Sequence, residues 1–259
     1  MAGEPPLRDL LAVAQEAAWV GGRRTLAYFG TGTAATEWKP DLTPVTAADR
    51  EAEGLIRGVI GRAFPDHAIL GEEDGETAGS VAVRWIVDPL DGTRTFVRGV
   101  PLYGTLVGVE VRGEPVVGVV YLPALDEMVA AARGGGCTWN GRPCRVSGAT
   151  RLEDALGVVT DERSARARSG AWDRLVAATA MQRTWADCYG YVLVATGRAE
   201  VALDPIMNVW DCAALLPIVE EAGGRFTDWA GRRTIQGGEA VATNGALHDQ
   251  VLQLLRDDA

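Results

Sequence analysis

The sequence predicts a mixed α/β (α+β) protein of two packed halves, residues 1–150 and 151–259, meeting near 145–155. Three observations carry this. Two long stretches near the N-terminus repeat apolar residues at helical spacing. A run of short apolar segments joined by tight turns follows, as expected of strands. After residue 150, helical and strand-like periods alternate, with no low-complexity linker and no internal repeat.

Leu7 to Phe29 places Leu7, Leu10, Leu11, Ala14, Ala17, Ala18 and Leu26 on a helical period, and Gly30-Thr31-Gly32-Thr33 is its stop. Lys39 to Pro44 reads as a loop. Thr46 to Phe64 reads as a second helix, with Thr46 and Asp49 at the spacing of a capping box. Strands follow at Ala68-Ile69-Leu70, running into Gly71-Glu72-Glu73, and at Arg84 to Val87, running into Asp88-Pro89-Leu90-Asp91-Gly92. Gly104 to Val111 and Pro115 to Tyr121 form a hairpin around Arg112-Gly113-Glu114, and Met128 to Ala132 adds a strand before Gly134-Gly135-Gly136. In the second half, helices are expected at 171–181, 187–196, 209–222 and 246–255, and strands at 199–203 and 240–242. Gly223-Gly224 stops the third of these helices.

A hydrophobic fraction of 47% and a charged fraction of 23% exclude a disordered chain. Lys and Arg number 25 against 35 Asp and Glu, a net charge of −10, which disfavours nucleic acid or an anionic membrane as partner. No apolar run approaches the ~20 residues of a membrane span, and the N-terminus lacks the basic and apolar regions of a signal peptide. A cytoplasmic protein is expected. Cys137, Cys144, Cys188 and Cys212 form no Cys-x-x-Cys, and His67 and His248 are the two histidines, so neither a His/Cys zinc site nor a disulfide framework is expected.

Acidic residues at the ends of elements are the strongest chemical feature. Glu72 and Glu73 follow one strand, Asp88 and Asp91 the next, and Asp49 and Asp211 open helices. Each has an ordinary explanation: Asp-Pro-x-Asp-Gly is a good turn, and a carboxylate in a first helical turn satisfies free N–H groups. Gathered together they could not all stay ionised without a counter-charge. A hard divalent cation such as Mg²⁺ supplies one and keeps room for water and phosphate oxygens. In Asp88-Pro89-Leu90-Asp91-Gly92-Thr93 the two carboxylates can face one cluster. Gly92 allows a tight bend, and the Gly92 and Thr93 N–H groups can point at a phosphate.

Gly71-Glu72-Glu73, Asp88-Pro89-Leu90-Asp91-Gly92-Thr93 and Trp210-Asp211-Cys212-Ala213-Ala214 resemble the three signatures of the inositol monophosphatase superfamily, in order and over nearly the whole chain. Pro44 to Asp49 and Glu220 to Gly224 resemble its flanking patterns. The resemblance implies a five-layer αβαβα sandwich of the inositol monophosphatase / fructose-1,6-bisphosphatase type and Mg²⁺-dependent hydrolysis of a small phosphate monoester. Two to three Mg²⁺ per site are implied, with Mn²⁺ as a substitute, Li⁺ and Ca²⁺ as inhibitors, and a homodimer. By position, Glu72, Asp88 and the Leu90 carbonyl resemble ligands of a first metal, and Asp88, Asp91 and Asp211 those of a second. Glu72 would also touch a third through waters. Thr93 with Glu72 would orient the attacking water, Asp49 would hold Thr93, and Lys39 resembles the lysine of a mobile loop near the site. Attack would be in line, without a covalent phosphoenzyme. The spacing Asp-x-x-Asp argues against a haloacid-dehalogenase-type Asp-x-Asp nucleophile. Thr95 departs from the family, which usually has Asn there, at a position that is not a metal ligand.

The second half must choose the alcohol. Alignment on Leu193-Val194-Ala195-Thr196-Gly197 turns Asp187 and Asp204 toward the substrate, beside Asp91. Two carboxylates suit a cationic leaving group, and L-histidinol phosphate carries an ammonium that inositol phosphate lacks. Lys39 to Thr46, Phe96 to Pro101 and Asp187-Cys188-Tyr189-Gly190-Tyr191 also look like the histidinol-phosphatase branch, which places the reaction in histidine biosynthesis. The alternatives are an inositol-1-monophosphatase or broad sugar phosphatase and, from another class, a catalytically silent phosphate-ester binding protein, which predicts a lost ligand. A helix N-cap is the ordinary role for Asp187.

Overall fold

The computed structural model describes residues 4–31, 37–38, 44–185 and 187–256, and every structural statement below concerns these. Helices α1 (Leu7–Thr25) and α2 (Ala47–Ala63) flank a two-residue strand pair, β1 (Glu37–Trp38) and β2 (Pro44–Val45). Strands β3 (Ala68–Gly71), β4 (Gly75–Thr77) and β5 (Val83–Asp91) lead into the short helix α3 (Thr93–Val97). Then come β6 (Gly104–Val111), β7 (Glu114–Leu122), β8 (Glu127–Ala132), β9 (Cys137–Trp139) and β10 (Arg142–Cys144). The second half holds β11 (Leu156–Val158), α4 (Glu162–Arg168), α5 (Ala171–Ala178), β12 (Met181–Arg183), α6 (Cys188–Ala195) and β13 (Val201–Asp204). It ends with α7 (Val209–Ala213), α8 (Leu215–Glu221), β14 (Arg225–Thr227), β15 (Ala240–Thr243) and α9 (His248–Arg256).

Beside the β1–β2 pair, the described strands form two larger sheets, ordered β10-β9-β8-β7-β6-β5-β3-β4 and β12-β11-β13-β15-β14. Both are mixed: β3 pairs parallel with β5, and β11 parallel with β12 and β13, while β13, β15 and β14 pair antiparallel. Side-chain alternation assigns each sheet face to a layer. Trp85, Val87, Val107, Val109, Val117 and Val119 pack with Leu10, Ala14, Ile56 and Ile60 of α1 and α2. The intervening Ile86, Leu106, Val120 and Leu122 turn the other way, onto α6 and α8. Ala202 and Ala242 close that middle layer from the second sheet. Val201, Leu203 and Val241 face outward, where Trp172, Leu175, Val251 and Leu255 of α5 and α9 cover them. The order is the five-layer αβαβα sandwich expected from the sequence. Helix α6 is buried almost all round because it lies between two sheets.

Three helices depart most from expectation. Helix α1 stops at Thr25, ahead of Phe29; the chain turns through Gly30 at φ 69°. The expected helix 171–181 ends at Ala178, and 181–183 pair with β11 instead. The expected helix 209–222 is two helices broken at Ala214. Pro217 causes the break, since it has no N–H to donate to the Ala213 carbonyl one turn back. The broken segment then presses onto the first sheet at two glycines. A Cβ on Gly108 would lie 2.7 Å from the Ala213 carbonyl carbon, and one on Gly118 2.0 Å from the Ala214 oxygen. These contacts set how closely Asp211 approaches β5. Gly118→Ala is therefore expected to destabilise the protein by about 1–3 kcal/mol, the usual range for overpacking, in urea unfolding; an unchanged midpoint would contradict the packing. The four described cysteines are free, and no described helix is long and apolar enough to cross a membrane.

Candidate active site

Strand β5 continues through Asp88-Pro89-Leu90-Asp91, where the sequence suggests a turn. Strict alternation would send Asp88 and Asp91 to opposite faces. The β5–β6 register prevents this: Asp88 pairs with Leu106 and Asp91 with Gly104, so one extra residue is bulged out on β5. Thr105 Oγ1 donates to the Pro89 carbonyl at 2.8 Å and fastens the bulge. The Leu90 N–H donates to Asp88 Oδ1 at 3.0 Å. Carboxylate oxygens of Asp88, Asp91 and Asp211 come within 4.8 Å of one another, a group able to hold a metal ion.

Asp49 and Asp211 both cap their helices and reach the site. Asp49 Oδ2 accepts the Thr46 N–H and hydroxyl, at 2.8 and 2.7 Å, completing the capping box. Its other oxygen, Oδ1, accepts Thr93 Oγ1 at 3.4 Å; Thr93 Oγ1 also lies 3.1 Å from the Leu90 carbonyl. Asp211 Oδ2 accepts the Asn208 N–H at 2.6 Å. The capping explanation and the site explanation therefore hold together, because a carboxylate has two oxygens.

Glu72, Asp88, Leu90, Asp91, Gly92, Thr93, Asp187 and Asp211 line one cleft with Arg94, Asn208 and Trp210. These three lie outside the site residues expected from the sequence; Arg94 and Trp210 adjoin Thr93 and Asp211 in the chain, and Asn208 precedes Asp211 by three residues, which is the signal that points to them. Glu72 lines the cleft outside the tight Asp triad. Gly92 opens α3 at φ 85°, a left-handed conformation suited to glycine. Lys39, with the segment 39–43, lies outside the described residues.

The second half closes the cleft at the start of α6. The Cys188 N–H donates to Asp91 Oδ2. Asp187 has the helix N-cap position but makes no cap hydrogen bond, with φ 53° and ψ −150°. That backbone region is almost confined to glycine. Its N–H donates to Thr160 Oγ1 at 2.9 Å, and its carboxylate accepts Thr95 Oγ1 at 3.2 Å. The departure at Thr95 is thus bound to Asp187 across the two halves. Asp204 sits differently from expectation: it is 4% exposed, accepts the Thr160 N–H at 2.8 Å, and is absent from the cleft lining. It ends the same β13 alternation that turns Ala202 inward, which puts it beneath α6 rather than at the surface of the cleft.

The electrostatics fit a cation. Burial, then Glu72, Asp91 and Asp211, push the Asp88 carboxyl well above the usual range. Burial, then Asp187 and Asp211, do the same to Asp91. Burial raises Asp211 to about 7, against the Asn208 N–H. Burial also raises Asp204 to about 7. Oxygen-only donors around a crowded negative centre suit Mg²⁺ better than a soft metal. Cys188 and Cys212 are buried with thiols pushed up by burial and by the neighbouring carboxylates, and so do not compete as thiolate ligands.

The sequence matches the profile of the inositol monophosphatase family over residues 7–258. It is 46% identical over 240 residues to a histidinol-phosphatase of Chlorobaculum parvum, covering 92% of this chain and 93% of that one. It is 43% identical over 234 residues to a histidinol-phosphatase of Mycobacterium tuberculosis, covering 88% and 90%. The fold superposes on the solved inositol monophosphatase of Anabaena (Nostoc) sp. with a TM-score of 0.84, at 31% identity and 96% coverage of both. A layered frame that delivers acidic side chains from a bulged strand and a capped helix to one cleft, with Asp49 of a second capped helix behind Thr93, thus comes with a sequence match along almost its full length, and the chain belongs to the inositol monophosphatase family of phosphatases.

Proposed function

We propose that the chain hydrolyses L-histidinol phosphate to L-histidinol and phosphate with Mg²⁺, a step of histidine biosynthesis. The observation that carries the substrate is Asp187: a strained carboxylate in the cleft wall, beside Asp91 and Gly92, held by Thr95. An ammonium on the leaving alcohol would meet it in a charge-assisted hydrogen bond. The two histidinol-phosphatase relatives support the same substrate. On this reading Asp204 acts from behind, fixing Thr160 and hence the Asp187 N–H. A cytoplasmic location, expected from the sequence, and a homodimer, implied by the resemblance, remain part of the proposal.

Glu72, Asp88, Asp91, Asp211 and the Leu90 carbonyl would hold the cations. Bound Mg²⁺ would offset the clustered carboxylates and stabilise charge developing on the phosphoryl oxygens. The Gly92 and Thr93 N–H groups at the start of α3 would bind the phosphate. Thr93 Oγ1, with its hydrogen directed at Asp49 or the Leu90 carbonyl, has lone pairs left to accept a hydrogen bond from the attacking water and so orient it. Glu72 shares that water from across the cleft. Mn²⁺ should substitute for Mg²⁺, and Li⁺ and Ca²⁺ should inhibit.

Phosphate release from L-histidinol phosphate and inositol-1-phosphate, each with Mg²⁺ and with EDTA, tests the proposal. A Mg²⁺-dependent preference for histidinol phosphate above about tenfold, roughly 1.4 kcal/mol, is expected. The reverse preference would return the substrate to inositol or sugar phosphates. No turnover of either would leave the silent binding protein or a different phosphate ester.

A pH prediction follows from Asp88, Asp91 and Asp211. A carboxyl raised in the folded state binds its proton more tightly folded than unfolded, so its stability contribution declines as pH rises. The window runs from about 4, the unfolded value, to about 7 for Asp211. Mg²⁺ removes that decline, so the Tm gain on adding Mg²⁺ should grow as pH rises through that window, from about pH 4 to about pH 7. His248, whose buried ring is pushed down to about 4, changes stability in the opposite sense below about 6.5. It lies outside the cleft lining and cancels in the difference with and without Mg²⁺. A gain that is flat with pH would count against the cluster as the cation site.

A further inference from the structure

We propose that Glu53, which is outside the cleft lining, is a positioning residue for Glu72 and thereby sets how tightly the cleft holds its divalent cation; this rests on the Mg²⁺-dependent reading above. Glu53 stands one helical turn beyond Asp49, so both project from one face of α2. It is fully buried. A carboxylate in that position needs donors, and three are supplied. The Glu73 N–H donates to Oε2 at 2.8 Å, the Asp74 N–H to Oε1 at 3.1 Å, and Arg57 Nε to Oε1 at 2.8 Å. The Arg57 guanidinium continues to the Gly75 carbonyl and to Thr77 Oγ1, the latter at 3.0 Å.

The Glu53–Arg57 pair therefore grips the β3–β4 turn at four points, beginning at the residue next to Glu72. From the other side, the Glu72 N–H donates to the Val87 carbonyl at 3.2 Å. Glu72 is thus pinned to β5 by its own N–H and to α2 through the two residues after it. Gly71 makes the grip sterically possible, since a Cβ there would lie 2.0 Å from Glu53 Oε1. One helix consequently braces two parts of the cleft, Thr93 through Asp49 and Glu72 through Glu53. A ligand oxygen held in place before the cation arrives costs less ordering on binding, and that is the contribution assigned to Glu53.

Glu53→Gln keeps the shape but points an NH₂ group at one of three donors. Arg57→Met, a milder variant, leaves the carboxylate with its two N–H partners but removes the hold on Gly75 and Thr77. Mg²⁺ affinity of the metal-free full-length proteins would be measured by calorimetry, and independently from the Mg²⁺ needed for half-maximal turnover. Glu53→Gln should weaken Mg²⁺ about tenfold or more, about 1.4 kcal/mol. Arg57→Met should shift it the same way by less, and for both variants KM at saturating Mg²⁺ should stay unchanged. Wild-type Mg²⁺ affinity in either folded variant, with only a lower Tm, would make Glu53 a structural residue and overturn the proposal. Failure of the wild-type protein to bind Mg²⁺ at all would overturn the cation reading beneath it.

Discussion

Asp88→Asn should lower kcat by at least about 10³-fold, about 4 kcal/mol of transition-state stabilisation, while raising the Tm of the metal-free protein. Asp88 is the most enclosed carboxylate of the triad, 2% exposed, and in the proposed scheme it serves two metal positions. An Asn side chain can keep the Leu90 N–H bond through its carbonyl oxygen. Its NH₂ then faces carboxylates that were repelling the aspartate. Removing a buried charge among like charges relieves the metal-free fold, which gives the higher Tm. The same change abolishes the Tm gain from Mg²⁺, because ligand binding stabilises only as far as it occurs. Near-normal turnover would remove Asp88 from the metal site. Lost turnover with an undiminished Mg²⁺ shift would move the cation elsewhere.

Asp187→Ala should cut kcat/KM for histidinol phosphate about 100-fold, about 2.7 kcal/mol, and that for inositol-1-phosphate less than about threefold. The asymmetry arises because the carboxylate meets an ammonium in one substrate and a neutral hydroxyl in the other. Equal losses would make Asp187 a general support of the cleft. A companion variant separates role from strain. Asp187 adopts φ 53° and ψ −150°, which glycine tolerates and aspartate does not. Asp187→Gly should therefore raise Tm while losing the preference for histidinol phosphate. A residue retained at a cost in stability and needed for discrimination is what a substrate contact predicts; a lower Tm in Asp187→Gly would make it structural.

Much of the fold was legible because its long elements carry strong periods. The α1 and α2 patterns, the β6–β7 hairpin and the Thr46–Asp49 capping box are local features, and local chemistry decides them. Short pieces were not legible. Strands β4, β9, β10, β11, β12 and β14 have three residues each, too few to show a period, and form only because neighbouring strands offer partners. The 209–222 stretch read as one helix because its apolar pattern is continuous, while Pro217 and the glycines of β6 and β7 decide the break.

The acidic residues, and the places of Glu72, Asp49 and Asp211 at element ends, were determined by the sequence alone, as was the family, because motif order survives without coordinates; Asp88 lies inside β5 instead. That Asp88 and Asp91 share a face was decided only by the tertiary structure, through a bulge that exists in the register between β5 and β6. The backbone strain at Asp187, its link to Thr95, the burial of Asp204 and the brace from Glu53 to the Glu72 turn were decided there too. Each joins residues far apart in the chain. A one-dimensional pattern reports which groups are present and which local conformations they favour, but an oxygen's position relative to another is set by packing between layers, and the chemistry of this cleft depends on that position.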